Sequence, residues 1–186
     1  MNGSKVVVQE YIERPLLINN KKFDIRLYVL LTDVDPLQLY IFNDGIVSFC
    51  TEDFITDSEQ FKNKFVHLSN YSINKNNEKY NSKEHRWKLS SLWKYLKSER
   101  GVDSNLLWEK TKDVCLKSIL CGLNKIREDS KEKQKSHYSS FKLIGIDIMF
   151  DEDLKPWLLE VKIVNILLME ICFLLGKHQP ILACCR

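Results

Sequence analysis

The sequence has no glycine-rich loop. Its six glycines, Gly3, Gly45, Gly101, Gly122, Gly145 and Gly176, stand singly, so no phosphate cradle of the P-loop or dinucleotide-binding kind lies within the chain. It has no CxxC pair either. The six cysteines, Cys50, Cys115, Cys121, Cys172, Cys184 and Cys185, share no ligand spacing with the four histidines, which speaks against structural zinc. A reducing, cytosolic compartment is then the default. Met1 to Lys5 lack the apolar run of a signal peptide. The longest apolar stretch, Ile163 to Leu175, is interrupted by Asn165 and Glu170 and falls short of the about twenty residues that cross a bilayer, so no membrane partner is expected. There are no internal repeats. No sign of charge dominates: the net charge of +3 permits an acidic partner without calling for nucleic acid.

What is present is the composition of a soluble globular domain. The chain of 186 residues is 44% hydrophobic and 28% charged, and a chain of that length buries about two-thirds of its unfolded surface. Basic residues gather at Lys21 and Lys22, at Lys62 and Lys64, at Lys83, Arg86 and Lys88, and at Lys131, Lys133 and Lys135. Each cluster reads first as a solvated face.

Lys5 to Ile12 reads as a strand, and Phe23 to Thr32 as a longer buried strand rich in β-branched and aromatic residues. Leu37 to Phe42 and Ile46 to Cys50 flank Asn43-Asp44-Gly45, a hairpin signal because Asp and Gly tolerate positive φ. Thr51 to Lys88 is polar, with Asn74 to Glu78 read as surface loop. Leu89, Leu92, Trp93 and Leu96 fall at helical spacing, in a helix capped near Ser90 and ended by Gly101. A second helix follows the Asp103-Ser104 cap signal to about Arg127, and Glu128 to Ser136 reads as a charged loop. Phe141 to Phe150 and Pro156 to Val161 form a hairpin about Asp151-Glu152-Asp153. The tail from Ile163 reads as a buried helix or an unfolded extension, with Pro180 ending any helix.

The chemistry sits where charges interrupt apolar strands. Arg26 lies within Lys22-Phe23-Asp24-Ile25-Arg26-Leu27-Tyr28, Asp147 within Ile144-Gly145-Ile146-Asp147-Ile148-Met149-Phe150, and Glu160 within Trp157-Leu158-Leu159-Glu160-Val161. Isolated charges are costly to bury unless paired or bound to metal, so Arg26, Asp147 and Glu160 read as one polar site built across a sheet. Opposed carboxylates on neighbouring strands repel and call for a cation between them, which magnesium suits; the plainer reading sends one of them to solvent. Asp24 shares a face with Arg26, where a structural ion pair is the plain alternative.

These segments, with Val8-Gln9-Glu10-Tyr11-Ile12 and His67-Leu68-Ser69-Asn70-Tyr71-Ser72-Ile73-Asn74-Lys75, resemble the tubulin tyrosine ligase-like family, especially its polyglutamylase branch, from about Val6 to Val161. The resemblance implies an α+β fold, part of an ATP-grasp domain with a mostly antiparallel sheet flanked by helices, over residues 1–162, followed by a divergent apolar tail, 163–186. It implies ATP-dependent addition of glutamate to glutamate side chains of tubulin tails through an acyl phosphate, with ATP and Mg2+ as cofactors and tubulin tails, microtubules and glutamate as partners. A cytoplasmic, cytoskeletal site follows, extending to cilium or basal body.

Residue by residue, the resemblance places Gln9, Tyr11 and Ile12 at the adenine and Asp24 and Arg26 at the nucleotide, with Arg26 the catalytic residue. Asp147 and Glu160 fall at the metal, and Asn70, Lys75 and His67 near acceptor and amino acid, His67 reading equally as a hydrogen-bonded structural histidine. Where the family has asparagine two residues after the glutamate, this chain has Lys162. A protonated lysine cannot ligate a metal and competes with it for Glu160. The family's glycine-rich loop and phosphate-binding lysine belong to a part that precedes the matched region. After Lys162 the likeness stops so abruptly that an altered reading of the gene, such as retained intron sequence, is the expected cause. The alternative function is an inactive, truncated or pseudoenzyme form that at most binds tubulin.

Overall fold

The computed structural model describes residues 8–56, 61–133, 141–164 and 178–181. In chain order its elements are β1 (Leu17–Ile18), β2 (Lys21–Val34), β3 (Leu37–Phe42), β4 (Ile46–Phe49), α1 (Lys64–His67), α2 (Tyr71–Asn74), α3 (Ser82–His85), β5 (Arg86–Lys88), α4 (Leu89–Arg100), α5 (Ser104–Lys133), β6 (Lys142–Phe150), β7 (Pro156–Val164) and β8 (His178–Ile181). Every strand pairing among them is antiparallel.

β2 is the organising strand. Phe23, Ile25, Leu27, Val29 and Leu31 alternate inward and are at most 1% exposed, as period two dictates. Ile25 to Leu31 pair along one edge with β6. The other edge takes β4 at Phe23 to Arg26 and β3 from Val29 onward. β7 borders β6, β5 borders β4 and β8 borders β3. α4 and α5 close the core with Leu89, Leu92, Leu96, Leu107, Cys115 and Ile119, packed with the inward side chains of the strands. Fully burying one such leucine is worth about 1.5–3 kcal/mol. The result is the expected α+β architecture, a mostly antiparallel sheet flanked by helices, consistent with part of an ATP-grasp fold.

Four local expectations are corrected. Asn43-Asp44-Gly45 does not turn a hairpin, because β3 and β4 follow one another along the same edge of β2. The segment instead starts α4: Asp44 Oδ1 accepts the Ser90 amide at 3.0 Å, and the Leu89 amide donates to the Gly45 carbonyl. A Cβ on Gly45 would stand 2.8 Å from the Arg26 carbonyl oxygen, so glycine is required here by close packing, not by positive φ. Residues 8–12 lie outside any strand. α5 continues to Lys133, since Glu128, Lys131, Glu132 and Lys133 are good helix formers; the rest of the expected loop, 134–136, lies outside the described residues. Asn74 is fully buried instead of on a loop: its Oδ1 accepts from the Thr51 amide and hydroxyl, and its Nδ2 donates to the Leu68 and Asn70 carbonyls.

The expected helix α4 and the hairpin β6–β7 are both present. Asp103 Oδ1 accepts amides at the start of α5, and Gly101 ends α4 at φ 61°. β7 runs on to Val164, so Ile163 belongs to the sheet. The apolar stretch from 165 to 175 lies outside the described residues, and Pro180 stands opposite Tyr40 in β8.

Candidate functional site

The register of three strands sets the site. Arg26 of β2 stands opposite Asp147 of β6, and Asp147 stands opposite Glu160 of β7. The three residues therefore form one row across the sheet, as their sequence pattern implies. Asp147 is 6% exposed and takes a two-pronged ion pair from Arg26, Nε to Oδ1 and Nη2 to Oδ2, the latter at 2.6 Å. This pair, reinforced by the Asp147 charge, holds the guanidinium well above its usual range, so Arg26 stays charged. Gly145, two residues before Asp147, makes the space: an added Cβ would lie 3.3 Å from Arg26 Cδ.

Glu160 reaches the surface, its side chain 46% exposed, and Lys162 Nζ lies 2.7 Å from its Oε2. The competition expected of Lys162 thus has a geometric counterpart: each carboxylate of the row has a cation of the chain beside it. Among the described residues no group of three or more His, Cys, Asp or Glu is placed to hold a metal. The donors at hand are two directly opposed carboxylates. That set fits magnesium, which takes one or two protein carboxylates and fills its shell with water and phosphate oxygens.

Asp24 lies on the face of Arg26, yet the partner of Arg26 is Asp147. Burial, and then the Asp147 charge, push the Asp24 carboxyl up to about 6 against a hydrogen bond from Ser69. Lys22 continues the same face and is 6% exposed; burial pulls its ammonium down. Its Nζ lies 4.7 Å from the Tyr11 ring centroid.

A cleft of about 580 Å³ lies between residues 9–14 and the β6–β7 turn with Trp157, Leu158 and Leu159; it reaches the residue before Glu160, and none of the three row residues lines it. Gln9, Tyr11 and Ile12 all line it. Leu159, the residue skipped in the β6–β7 register, precedes Glu160. The near wall is anchored to the turn: the Leu16 amide donates to the Phe150 carbonyl, the Glu152 amide to the Arg14 carbonyl, and Arg14 pairs with Glu152. Across the turn, Asp151 accepts the Asp153 and Lys155 amides and the Trp157 Nε1 proton.

Tyr11 ties this wall to the 61–75 segment. Its hydroxyl lies 2.7 Å from His67 Nδ1, and burial pushes the phenol up to about 12. His67 is 9% exposed, stacked on Phe61 and edge-on to Phe54 and Tyr11. These contacts fit a hydrogen-bonded structural histidine. Asn70 and Lys75 are exposed at the two ends of α2, with the Lys75 ammonium 5.7 Å from the Tyr71 ring centroid; neither touches the row.

Sequence reasoning missed Lys22, Ser69 and Asn74. Lys22 was findable from its period-two spacing to Asp24 and Arg26. Ser69 and Asn74 act through contacts 45 and 23 residues distant, and a local pattern carries no sign of them.

The sequence that builds this sheet, row and cleft matches the tubulin-tyrosine ligase family. The chain belongs to that family, whose model matches residues 1–164. It is 44% identical over 165 residues to the tubulin monoglutamylase TTLL4 of Mus musculus, covering 85% of this chain and 14% of that protein. Over 161 residues it is 40% identical to the tubulin polyglutamylase ttll-4 of Caenorhabditis elegans, covering 85% and 27%. It is also 37% identical over 166 residues to the tubulin polyglutamylase TTLL5 of Homo sapiens, covering 85% and 13%. The chain thus spans about an eighth to a quarter of the length of the curated relatives it matches. No helix among the described residues is long and apolar enough to cross a membrane.

Proposed function

We propose that this chain is the central and C-terminal part of the catalytic core of a ligase that adds glutamate, using ATP, to glutamate side chains in tubulin tails. The observation that carries this reading is the row Arg26, Asp147 and Glu160, with the cleft lined by Gln9, Tyr11 and Ile12, in a chain whose relatives are named tubulin mono- and polyglutamylases. The substrate places it on microtubules, in the cytoplasm or in a cilium or basal body.

In the proposed reaction an acceptor carboxylate oxygen attacks the γ-phosphorus of ATP, the bond to the bridging oxygen breaks, and ADP leaves. The acyl phosphate so formed is attacked at its carbonyl carbon by the amine of free glutamate. Inorganic phosphate departs, the nitrogen loses its proton, and an amide joins the two residues. Gln9, Tyr11 and Ile12 hold the adenine. Arg26 offers the planar fork that matches phosphoryl oxygens, and its exchange from Asp147 to phosphate supplies the positive charge where negative charge develops. Lys22 and Asp24 set the charge beside the nucleotide. Asp147 and Glu160 would hold magnesium, which neutralises phosphate charge when bound. Asn70 and Lys75 meet acceptor and amino acid, while His67 fixes Tyr11. Lys62, Lys64 and Lys75 steer the acidic tail.

A second reading has its own observation. The Lys162–Glu160 ion pair occupies a metal-holding carboxylate with a fixed cation, which suits an inactive form that at most binds tubulin. The two readings are separated by incubating the chain with microtubules, magnesium-ATP and labelled glutamate. Label on tubulin supports the ligase. Unlabelled tubulin with co-sedimentation supports the inactive binder, and loss of both overturns the assignment.

A further inference from the structure

Another charged surface lies outside this site. β5 ends the sheet: it pairs with β4 along one edge, and no strand among the described residues pairs with the other. An unpaired edge leaves main-chain donors and acceptors open to an added strand. Arg86 and Lys88 share one face of β5 and are exposed, while Trp87 between them is half-buried. α4 leaves β5 directly and brings Lys94 and Tyr95 alongside, so that β5 and α4 wall a groove of about 600 Å³ to which Lys83 of α3 also contributes.

The groove is basic and uncompensated. Among the described residues none of Lys83, Arg86, Lys88 and Lys94 takes part in a salt bridge. The acid nearest in sequence, Glu84, accepts from Asn81. The Arg86 guanidinium rests 5.4 Å from the Tyr71 ring centroid, which holds it without neutralising it. Trp87 is engaged from two sides, by Phe49 at 4.9 Å and Tyr95 at 5.7 Å. Its ring forms the apolar floor and is not presented for stacking on a base.

We propose that the groove between β5 and α4 docks an extended acidic polypeptide, which adds to the β5 edge as a further strand. Strand addition takes its affinity from main-chain hydrogen bonds and its specificity from alternate side chains. A strand repeats the same face every about 6.6–6.8 Å, so carboxylates at alternate positions meet Arg86 and Lys88 while Lys83 and Lys94 flank them. Single-stranded nucleic acid would bring the charge but neither the complementary main chain nor a use for an enclosed tryptophan. The choice of a polypeptide also rests on the ligase reading above, whereas the open edge and the charge do not.

The test uses the full chain and a fluorescein-labelled twelve-residue peptide with glutamate at alternate positions, followed by anisotropy. Binding is expected to weaken by about tenfold or more in Lys88→Glu/Lys94→Glu, where two attractions become repulsions, and to fall as salt is raised. Lys110→Glu, an exposed reversal outside the groove, is expected to leave affinity within about twofold. Unchanged affinity in the double variant overturns the site. Equal affinity for the peptide N-methylated at alternate amides overturns strand addition, and equal affinity for a single-stranded oligonucleotide of matched charge overturns the polypeptide. Loss of peptide binding with ATP binding retained assigns the failure to the groove, not to the nucleotide site.

Discussion

Asp24 makes the site's electrostatics measurable. Its carboxyl is lifted from an ordinary 3.8 to about 6, first by burial and then by the Asp147 charge. The folded chain therefore holds this proton more tightly than the unfolded chain does. The stabilising contribution is complete below about pH 4 and is lost as pH rises through about 6. That lift corresponds to about 3 kcal/mol, which solvent access at the partly exposed Asp24 reduces to about 2 kcal/mol. Asp24→Asn removes the charge and keeps an oxygen to accept from Ser69. In urea unfolding, the variant is expected to gain about 2 kcal/mol over the parent at pH 7.5 and nothing at pH 4. A gain of equal size at both values would refute the reasoning, since a pH-independent effect cannot come from an ionisation. On the proposed reading, a cation bound between the carboxylates would lower the Asp24 pKa and relieve part of this charge repulsion.

Three further outcomes follow from the geometry. Asp44→Ala removes the acceptor of the Ser90 amide at the start of α4 and is expected to cost about 1 kcal/mol in thermal or urea unfolding. Gly45→Ala forces a methyl to within 2.8 Å of the Arg26 carbonyl oxygen; a loss of about 1–3 kcal/mol, together with weaker ATP binding, is expected because the backbone that must yield carries Arg26. Lys162→Asn frees Glu160 from its 2.7 Å ion pair, and magnesium-ATP affinity measured by calorimetry is expected to rise by about tenfold. An unchanged affinity would show that Lys162 does not obstruct the metal.

The site was legible where its chemistry violates its surroundings. Arg26, Asp147 and Glu160 stand out because charges in apolar strands need partners, and the short β6–β7 connection already makes Asp147 and Glu160 neighbours. That Arg26 pairs with Asp147 instead of Asp24 is fixed by a register spanning 121 residues, which no local pattern contains. The Asn43-Asp44-Gly45 segment misled for a related reason: Asp and Gly fit a positive-φ turn, but the same pair serves as a helix cap and a close backbone contact. Charged residues beyond Arg127 read as a loop because polarity alone does not separate a helix from coil. Asn74 looked exposed by type; two of its four hydrogen bonds are made to Thr51, which tertiary folding brings up, and two to the nearby Leu68 and Asn70 carbonyls.

The central claim is that the three-strand row holds a metal-nucleotide complex. Calorimetric titration of ATP into the 186-residue chain, with and without magnesium, tests it most directly, with Asp147→Asn alongside. The account predicts that magnesium strengthens ATP binding by about tenfold or more and that Asp147→Asn removes this increment. ATP affinity indifferent to magnesium, or an increment that survives Asp147→Asn, would contradict it.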